Sequence, residues 1–390
     1  MKKTIINIVS AQTLPNYLFV KQMYEQKDKI VWIVSSNKKV QQAMSSLSSN
    51  LSDITNQQEI SLEEGSEENV DCITNLLKKE MPINDNYYVN LTGGTKLMAI
   101  AVYNFFKNNC KNASFFYIPL PRNIIKNIMT QEEKEITYRI SISEYLSLYD
   151  MKSRNGNGRK PYLSFEQAKD MFYKMNDIGE KYHNELSELR ELKKKNRFDG
   201  DNGRNKSKPR PYSDINGINL KEGIGGDKST RAERIENFIE QNELPKKCEK
   251  GFISGEDMVC LTGEWLEDLV YYITEKKESP DEIMCGIVPM RNGDELSDNE
   301  LDVIYIKDNK LYIRECKTNW EEGKMFNEIV YKAVAIKSLF GLSVKSSVYS
   351  CRENLSDDAN EAQKNKETLE KMGITYFGKK EIEYELNKLN

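Results

Sequence analysis

Histidine is nearly absent: the 390 residues hold one, His183. No multi-histidine zinc or copper site fits within one chain. A Ser-His-Asp triad would have to use a residue in a polar, helix-like stretch, GEKYHNELSELREL, which disfavours it. The seven cysteines, at 72, 110, 248, 260, 285, 316 and 351, form no Cys-x-x-Cys pair. That argues against a zinc cage and a disulfide framework. No run of about 18 apolar residues occurs, so no transmembrane helix or membrane partner is expected. The opening MKKTIINIVSAQTLPNY resembles a signal peptide only in its two lysines, and the expected location is cytoplasmic. Large charge excess is also missing. Lys+Arg is 57 and Asp+Glu is 61, a net −4, which excludes a globally basic coat but leaves a local basic face open.

The length suggests two or three domains, each able to bury a core. Over residues 1–140, short β-branched runs alternate with helix-like segments. TIINIV (4–9), IVWIV (30–34), YYVNL (87–91), ASFFYIP (113–119) and EITYRI (135–140) read as strands. Residues 35–47, 67–80 and 95–108 read as helices. Near-continuous apolar strands separated by helices predict a Rossmann-like, doubly wound α/β sheet, with an α+β sandwich as the alternative. Residues 164–176 and 178–195 read as two further helices, followed by a Gly-, Asn- and Pro-rich stretch expected to be a flexible linker. Residues 151–210 carry 16 Lys/Arg and 9 Asp/Glu, a local +7. Such a run either solvates a linker or contacts a phosphate backbone. From 231 onward a second α/β unit is expected, with helices at 231–242, 263–276 and 322–340 and strands at 283–289, 301–307, 311–317, 343–350 and 374–378.

Two motifs carry chemistry. The first is LTGGTKLMAI, residues 91–100, where a strand ends and a helix begins. Glycines there let the backbone approach a ligand, the helix start offers free N–H groups, and Lys96 adds a positive charge, a design that suits a phosphate. The spacing is neither a Walker A loop nor a Gly-x-Gly-x-x-Gly fingerprint. A plain glycine turn capped by threonine is the simpler reading. Two more polar strand ends, SAQTLPN (10–16) with Ser10, Gln12, Thr13 and Asn16, and SSNK (35–38), would join it at one sheet edge. None of the three carries an acidic residue, which fits an anionic ligand.

The second motif is NELDVIYIKDNKLYIRECKTNW, 299–320. Residues two apart on a strand share a face, so Glu315 and Lys317 project together and Cys316 turns away. A hairpin through the DNK turn can bring Asp302 alongside. Two carboxylates suit Mg2+ or Mn2+, with the Cys316 carbonyl as a further donor. Lys317 can orient a water or stabilise developing charge. The bland reading of Glu-x-Lys is a surface salt bridge, but the flanking positions are apolar.

TGGTK after an apolar strand in a Rossmann-like domain resembles the CRISPR-associated Rossmann fold (CARF) domain, over roughly residues 1–145. The resemblance implies that Thr92, Gly93, Gly94, Thr95 and Lys96, with Ser10, Gln12 and Thr13, contact a cyclic oligoadenylate at a homodimer interface. The second motif, D-x(n)-(D/E)-x-K, resembles the PD-(D/E)xK, restriction-endonuclease-like superfamily over roughly 255–350, although Leu301 stands where the strict motif has proline. By that resemblance Asp302, Glu315 and Lys317 are catalytic. Glu267, or Glu264 one turn away, adds an acidic group from the preceding helix. Asn327 or Lys332 faces the site from the following helix. Together the halves look like the CARF nuclease effectors of type III CRISPR immunity, in which cyclic tetra-adenylate switches on a metal-dependent nuclease acting on single-stranded RNA or DNA, or nicking supercoiled DNA. The implied division is 1–145 sensor, 146–230 helical connector and flexible basic linker, 231–390 nuclease. No arginine precedes His183 at the spacing of the HEPN ribonucleases, so that cousin is not expected. The alternatives are a ligand-sensing nucleic-acid-binding regulator that does not cut, and a sensor domain that degrades its own ligand.

Overall fold

The computed structural model describes residues 2–83, 85–153, 156, 158–178, 181–197, 215, 217–220, 228–291, 300–318, 325–340, 344–356 and 358–389. The N-terminal domain is a seven-stranded sheet in the order β3-β2-β1-β4-β5-β6-β7. Its strands are β1 (Thr4–Ile8), β2 (Lys29–Val34), β3 (Gln57–Ser61), β4 (Tyr87–Asn90), β5 (Ala113–Tyr117), β6 (Ile124–Asn127) and β7 (Glu133–Glu135). The first five pair in parallel and the last two antiparallel. Helices α1 (Leu14–Met23), α2 (Lys38–Asn50), α3 (Val70–Glu80) and α4 (Lys96–Asn109) cross over between the parallel strands. β1 is buried throughout, as a central strand covered on both faces must be. This is the doubly wound sheet that the strand–helix alternation predicts.

Several local expectations change. The SAQTLPN segment does not stay a loop: Pro15 sits in the first turn of α1, where its missing N–H costs nothing, and Asn16 is fully buried. α1 is apolar nearly all round, so no amphipathic stripe announces it. EITYRI is not a strand. Its backbone groups pair with side chains instead: Asn123 with Ile136, Gln22 with Thr137 and Tyr138, and Asn309 with Tyr138 and Ile140. The edge strand is the exposed Glu133–Glu135, which reaches only the first residue of that segment.

After α5 (Ile142–Leu148), β8 (Met151–Ser153) leaves the N-terminal domain and pairs with β12 (Pro289–Arg291) of the second. Helices α6 (Phe165–Ile178) and α7 (His183–Arg197) then pack with the C-terminal half: Phe172, Met175, Leu186 and Leu189 share one core with Trp265, Leu269 and Ile273. Most of the expected flexible linker, and the side chains of Lys194 and Lys195, lie outside the described residues.

Two short strands, β9 (Ile218–Asn219) and β10 (Phe252–Ile253), pair antiparallel, and the C-terminal sheet has five strands in the order β11-β13-β14-β15-β16. They are β11 (Glu282–Ile287), β13 (Leu301–Lys307), β14 (Lys310–Lys317), β15 (Lys345–Ser350) and β16 (Ile374–Phe377). The first three run antiparallel and the last two join in parallel. In chain order the helices that matter here are α8 (Lys228–Gln241), α9 (Gly255–Val259), α10 (Trp265–Glu278) and α11 (Met325–Phe340). α10 begins only after a π-helical turn whose Gly263 has φ +152°. β13 and β14 form a hairpin whose two-residue turn, Asp308-Asn309, has φ of 51° and 60°, the left-handed pair that a tight twisted hairpin needs.

That hairpin joins the domains. Ile304, Ile306 and Leu311 enter one apolar cluster with Ile118, Ile140 and Tyr145 of the N-terminal domain. At its tip Asn309, 3% exposed, accepts the Ile140 N–H at 2.9 Å. It also donates to the Tyr138 carbonyl at 2.9 Å and to Asn123 Oδ1 at 2.8 Å.

Candidate functional sites

The first site lies where β2, β1 and β4 end side by side. An asparagine lattice supports it. Asn90 Nδ2 donates to Asn7 Oδ1 and Asn16 Oδ1 at 3.0 Å each, and Asn16 Nδ2 donates to the Ile8 carbonyl at 2.9 Å. Asn90 Oδ1 in turn accepts the N–H and hydroxyl of Thr92. Thr92 Oγ1 accepts the Ile118 N–H at 2.9 Å, so the loop is tied to β5's end as well. The glycines have a steric cause. A Cβ on Gly93 would stand 2.0 Å from the Ile8 carbonyl oxygen, and Gly94, at φ +76°, would place one 2.3 Å from Ile8 Cγ2. Thr95 caps α4 by accepting the Met98 N–H at 3.1 Å. Lys96 is exposed and makes no ion pair among the described residues.

The other residues expected in the ligand loop separate. Gln12 is exposed and Ser10 is half-buried, its hydroxyl donating to the Gln12 carbonyl at 3.2 Å, whereas Thr13 is 1% exposed and its hydroxyl donates to the Leu148 carbonyl at 3.0 Å, at the end of α5. Thr13 therefore ties the loop to the element that leads out of the domain. The fold also brings an acidic segment close: the Thr95 hydroxyl donates to the Glu67 carbonyl at 3.3 Å. Reading the strand-end loops alone missed this neighbour, because it follows β3, a polar edge strand with no apolar signal.

The second site is a cavity of about 640 Å³ lined by Glu267, Glu300, Asp302, Glu315, Cys316, Lys317, Glu328, Tyr331 and Lys332. Asp302 and Glu315 are buried, at 8% and 7% exposure. Asp302 Oδ2 accepts the Cys316 N–H at 2.7 Å, which locks it across the hairpin from the Glu315–Lys317 pair. Lys317 Nζ is 2.8 Å from Glu315 Oε1, the same-face geometry that their spacing predicts. Between Asn327 and Lys332 the structure chooses Lys332: its ammonium ion-pairs with Glu315 and lies 3.4 Å from Asp302 Oδ1, while Asn327 is exposed and does not line the cavity. Glu267, rather than Glu264, lines the cavity.

Five carboxylates face two lysines here. Burial, and then the charge of Glu315, pushes Asp302 up to about 7. Burial also raises Glu267, with Glu264 next in effect, and Arg159 opposes the rise. Burial alone would raise Glu315, but Lys332 and then Lys317 outweigh it and hold the carboxyl below its usual range. Among the described residues no group of three Asp, Glu, Cys or His side chains is placed to hold a metal ion. Asp302 and Glu315 form a two-carboxylate pair, and an ion there would need carbonyl and water oxygens as well. Hard oxygen donors in a site short of positive charge fit Mg2+ or Mn2+.

Fold and site together define a two-domain α/β protein, a Rossmann-like domain joined to one with a carboxylate–lysine cluster. A Card1 CARF domain family matches residues 4–145, and a Card1-like endonuclease domain family matches residues 255–380. The chain thus joins a CARF domain to a Card1-like endonuclease domain. Among solved structures it is similar to Can2 from Sulfobacillus thermosulfidooxidans in complex with cyclic tetra-adenylate, at 19% identity and a TM-score of 0.68, over 100% of this chain and 99% of that one. It is also similar to protein VC1899 from Vibrio cholerae, at 16% identity and a TM-score of 0.67, over 99% and 97%. The comparison with curated proteins finds no match. No helix among the described residues is long and apolar enough to cross a membrane.

Proposed function

We propose that this protein is a metal-dependent nuclease of the PD-(D/E)xK type, switched on by cyclic tetra-adenylate and cutting single-stranded RNA or DNA in antiviral defence. The observation that carries the reading is the convergence of Asp302, Glu315 and Lys317 on one cavity in a chain whose other domain presents the TGGTK loop at a sheet edge. Asp302 and Glu315, with the Cys316 carbonyl, would hold Mg2+ or Mn2+. When bound, such an ion supplies a water acidified toward neutral pH and a positive charge beside the phosphodiester. Lys317 and Lys332 stabilise charge that develops on the phosphate, and the N–H of Cys316 keeps Asp302 turned inward. Tyr331, 75% exposed on the cavity's rim, offers a ring face on which an unpaired base can stack, which supports a single-stranded substrate.

At the sensor end, Thr92 to Lys96 with Ser10 and Gln12 would contact the cyclic nucleotide, and Thr13 would act from beneath through Leu148. Leu97 and Ile100, 41% and 49% exposed on the first turns of α4, adjoin that loop and support a homodimer that encloses the ligand. A ligand activates only by binding the active arrangement more tightly than the resting one.

Mixing the protein with single-stranded RNA, single-stranded DNA and supercoiled plasmid in Mn2+, with and without cyclic tetra-adenylate, tests the reading. Glu315→Gln is expected to lower ligand-dependent cutting by about 100-fold or more while ligand affinity stays. Nucleic-acid binding with no cutting by the unaltered protein would make it a regulator instead.

A further inference from the structure

Arg159 lies between the two matched segments, on the stretch that leaves the sensor domain, and it has no part in the reaction as drawn above. Its guanidinium hydrogen-bonds to Asp268 and Glu267 through its two terminal nitrogens and ion-pairs with Glu264 through Nε. Nη2 is 2.8 Å from Glu267 Oε2, Nε is 3.0 Å from Glu264 Oε2, and Nη1 is 2.5 Å from Asp268 Oδ1. Asp268 is fully buried and also accepts the N–H groups of Tyr162 and Leu163 at 2.9 Å, so this end of the clamp is rigid.

The backbone is pinned as well. The Arg159 N–H donates to the Cys285 carbonyl at 2.9 Å, which lays the segment along β11. Gly158, at φ +69°, would carry a Cβ 2.4 Å from that same carbonyl oxygen, so the chain can lie this close only with glycine there. Upstream, β8 is hydrogen-bonded to β12, and Leu148, three residues before β8, holds the Thr13 hydroxyl. A backbone group bound to the ligand loop and a guanidinium bound to a carboxylate of the nuclease cavity therefore lie only eleven positions apart in the sequence. Glu264 and Glu267 are one turn apart with like charges, and the cavity adds four further carboxylates, Glu300, Asp302, Glu315 and Glu328, to their surroundings. Without a fixed cation between them, Glu267 has no reason to stay turned toward Asp302.

We propose that Arg159 is a positioning residue of the nuclease site, through which the segment leaving the sensor domain fixes the Glu267 carboxylate in the cavity it shares with Asp302 and Glu315. The inference rests on the nuclease reading and on Glu267 acting in it.

The test is a double-mutant cycle in the full-length protein, assayed in Mn2+ with cyclic tetra-adenylate on whichever strand the unaltered protein cuts. Arg159→Ala is expected to lower kcat by about 10–100-fold, with KM and cyclic tetra-adenylate affinity near their original values. Arg159→Lys is expected to fall between, since one ammonium cannot fork to three carboxylates. Arg159→Ala combined with Glu267→Ala is expected to be no slower than Glu267→Ala alone, because a residue that acts through Glu267 has nothing left to position. Multiplying losses in the double variant, or an unchanged kcat in Arg159→Ala, would overturn the assignment. If Arg159→Ala does not fold, Arg159→Lys decides: a lower kcat at unchanged melting temperature and ligand affinity supports it, and an unchanged kcat removes it. An unaltered protein that cuts nothing overturns the nuclease reading and this inference together, whereas multiplying losses in an active protein overturn this inference alone.

Discussion

Single residues at the carboxylate–lysine cluster carry opposed demands. Asp302 is held at about 7, above its ordinary 3.8, by burial and then by Glu315. A carboxyl that holds its proton more tightly when folded stabilises the fold fully below the unfolded value, and that contribution is lost as pH rises through the folded one. Without metal, Asp302→Asn is therefore expected to raise the melting temperature more at pH 8 than at pH 5. Equal gains at both pH values would show that Lys332 already neutralises the pair. At the other end of the chain, Gly94→Ala forces a side chain into a left-handed position against Ile8, at a cost on the order of 2 kcal/mol or more, readable by chemical denaturation. The Asp302, Glu315 and Lys317 cluster was legible in the sequence because strand periodicity places i and i+2 on one face. Arg159 was not: its partners lie more than 100 positions away, and no local pattern marks a guanidinium that will meet three carboxylates.

Elements were legible in proportion to how plainly they alternate between apolar and polar. β1, β2 and β4 are continuous apolar runs in mid-sheet and read correctly. β3, QQEIS, is a polar edge strand and was invisible. α1 was hidden for the opposite reason, being apolar on nearly every side, so that Thr13 and Asn16 passed for loop residues although both are buried and hydrogen-bonded. EITYRI alternates like a strand, yet tertiary partners claim its backbone. One of them, Asn309, shows how much a two-residue turn can hold. Asn309→Gly keeps a residue at ease at φ 60° but deletes three hydrogen bonds between hairpin and sensor domain. A stability loss of about 2–4 kcal/mol is expected by urea titration, since the groups left behind are buried. A loss below about 0.5 kcal/mol would mean that water replaces the side chain without penalty.

Across the whole molecule, the two sites are joined by more than a tether. The hairpin tip is lodged in the sensor domain, β8 is paired with β12, and the Leu148 carbonyl holds the Thr13 hydroxyl. Asn309→Gly is accordingly expected to blunt activation as well as stability. The ratio of cutting with and without cyclic tetra-adenylate should fall several-fold, while ligand affinity changes by no more than the linked coupling energy. An unchanged ratio would place the coupling elsewhere, in the β8–β12 pair or the segment that carries Arg159.

The lodged hairpin tip also bears on how such proteins recombine. A domain that touches its neighbour only through a linker can be exchanged by crossing over in that linker. Here the strands that hold Asp302 and Glu315 end in a turn whose hydrogen-bond partners, Asn123, Tyr138 and Ile140, belong to the other domain. A nuclease half transplanted onto a foreign sensor would bring Asn309 to a surface without those partners, and would bare Ile304, Ile306 and Leu311. The unit that can move intact between lineages is therefore the pair of domains with the hairpin between them.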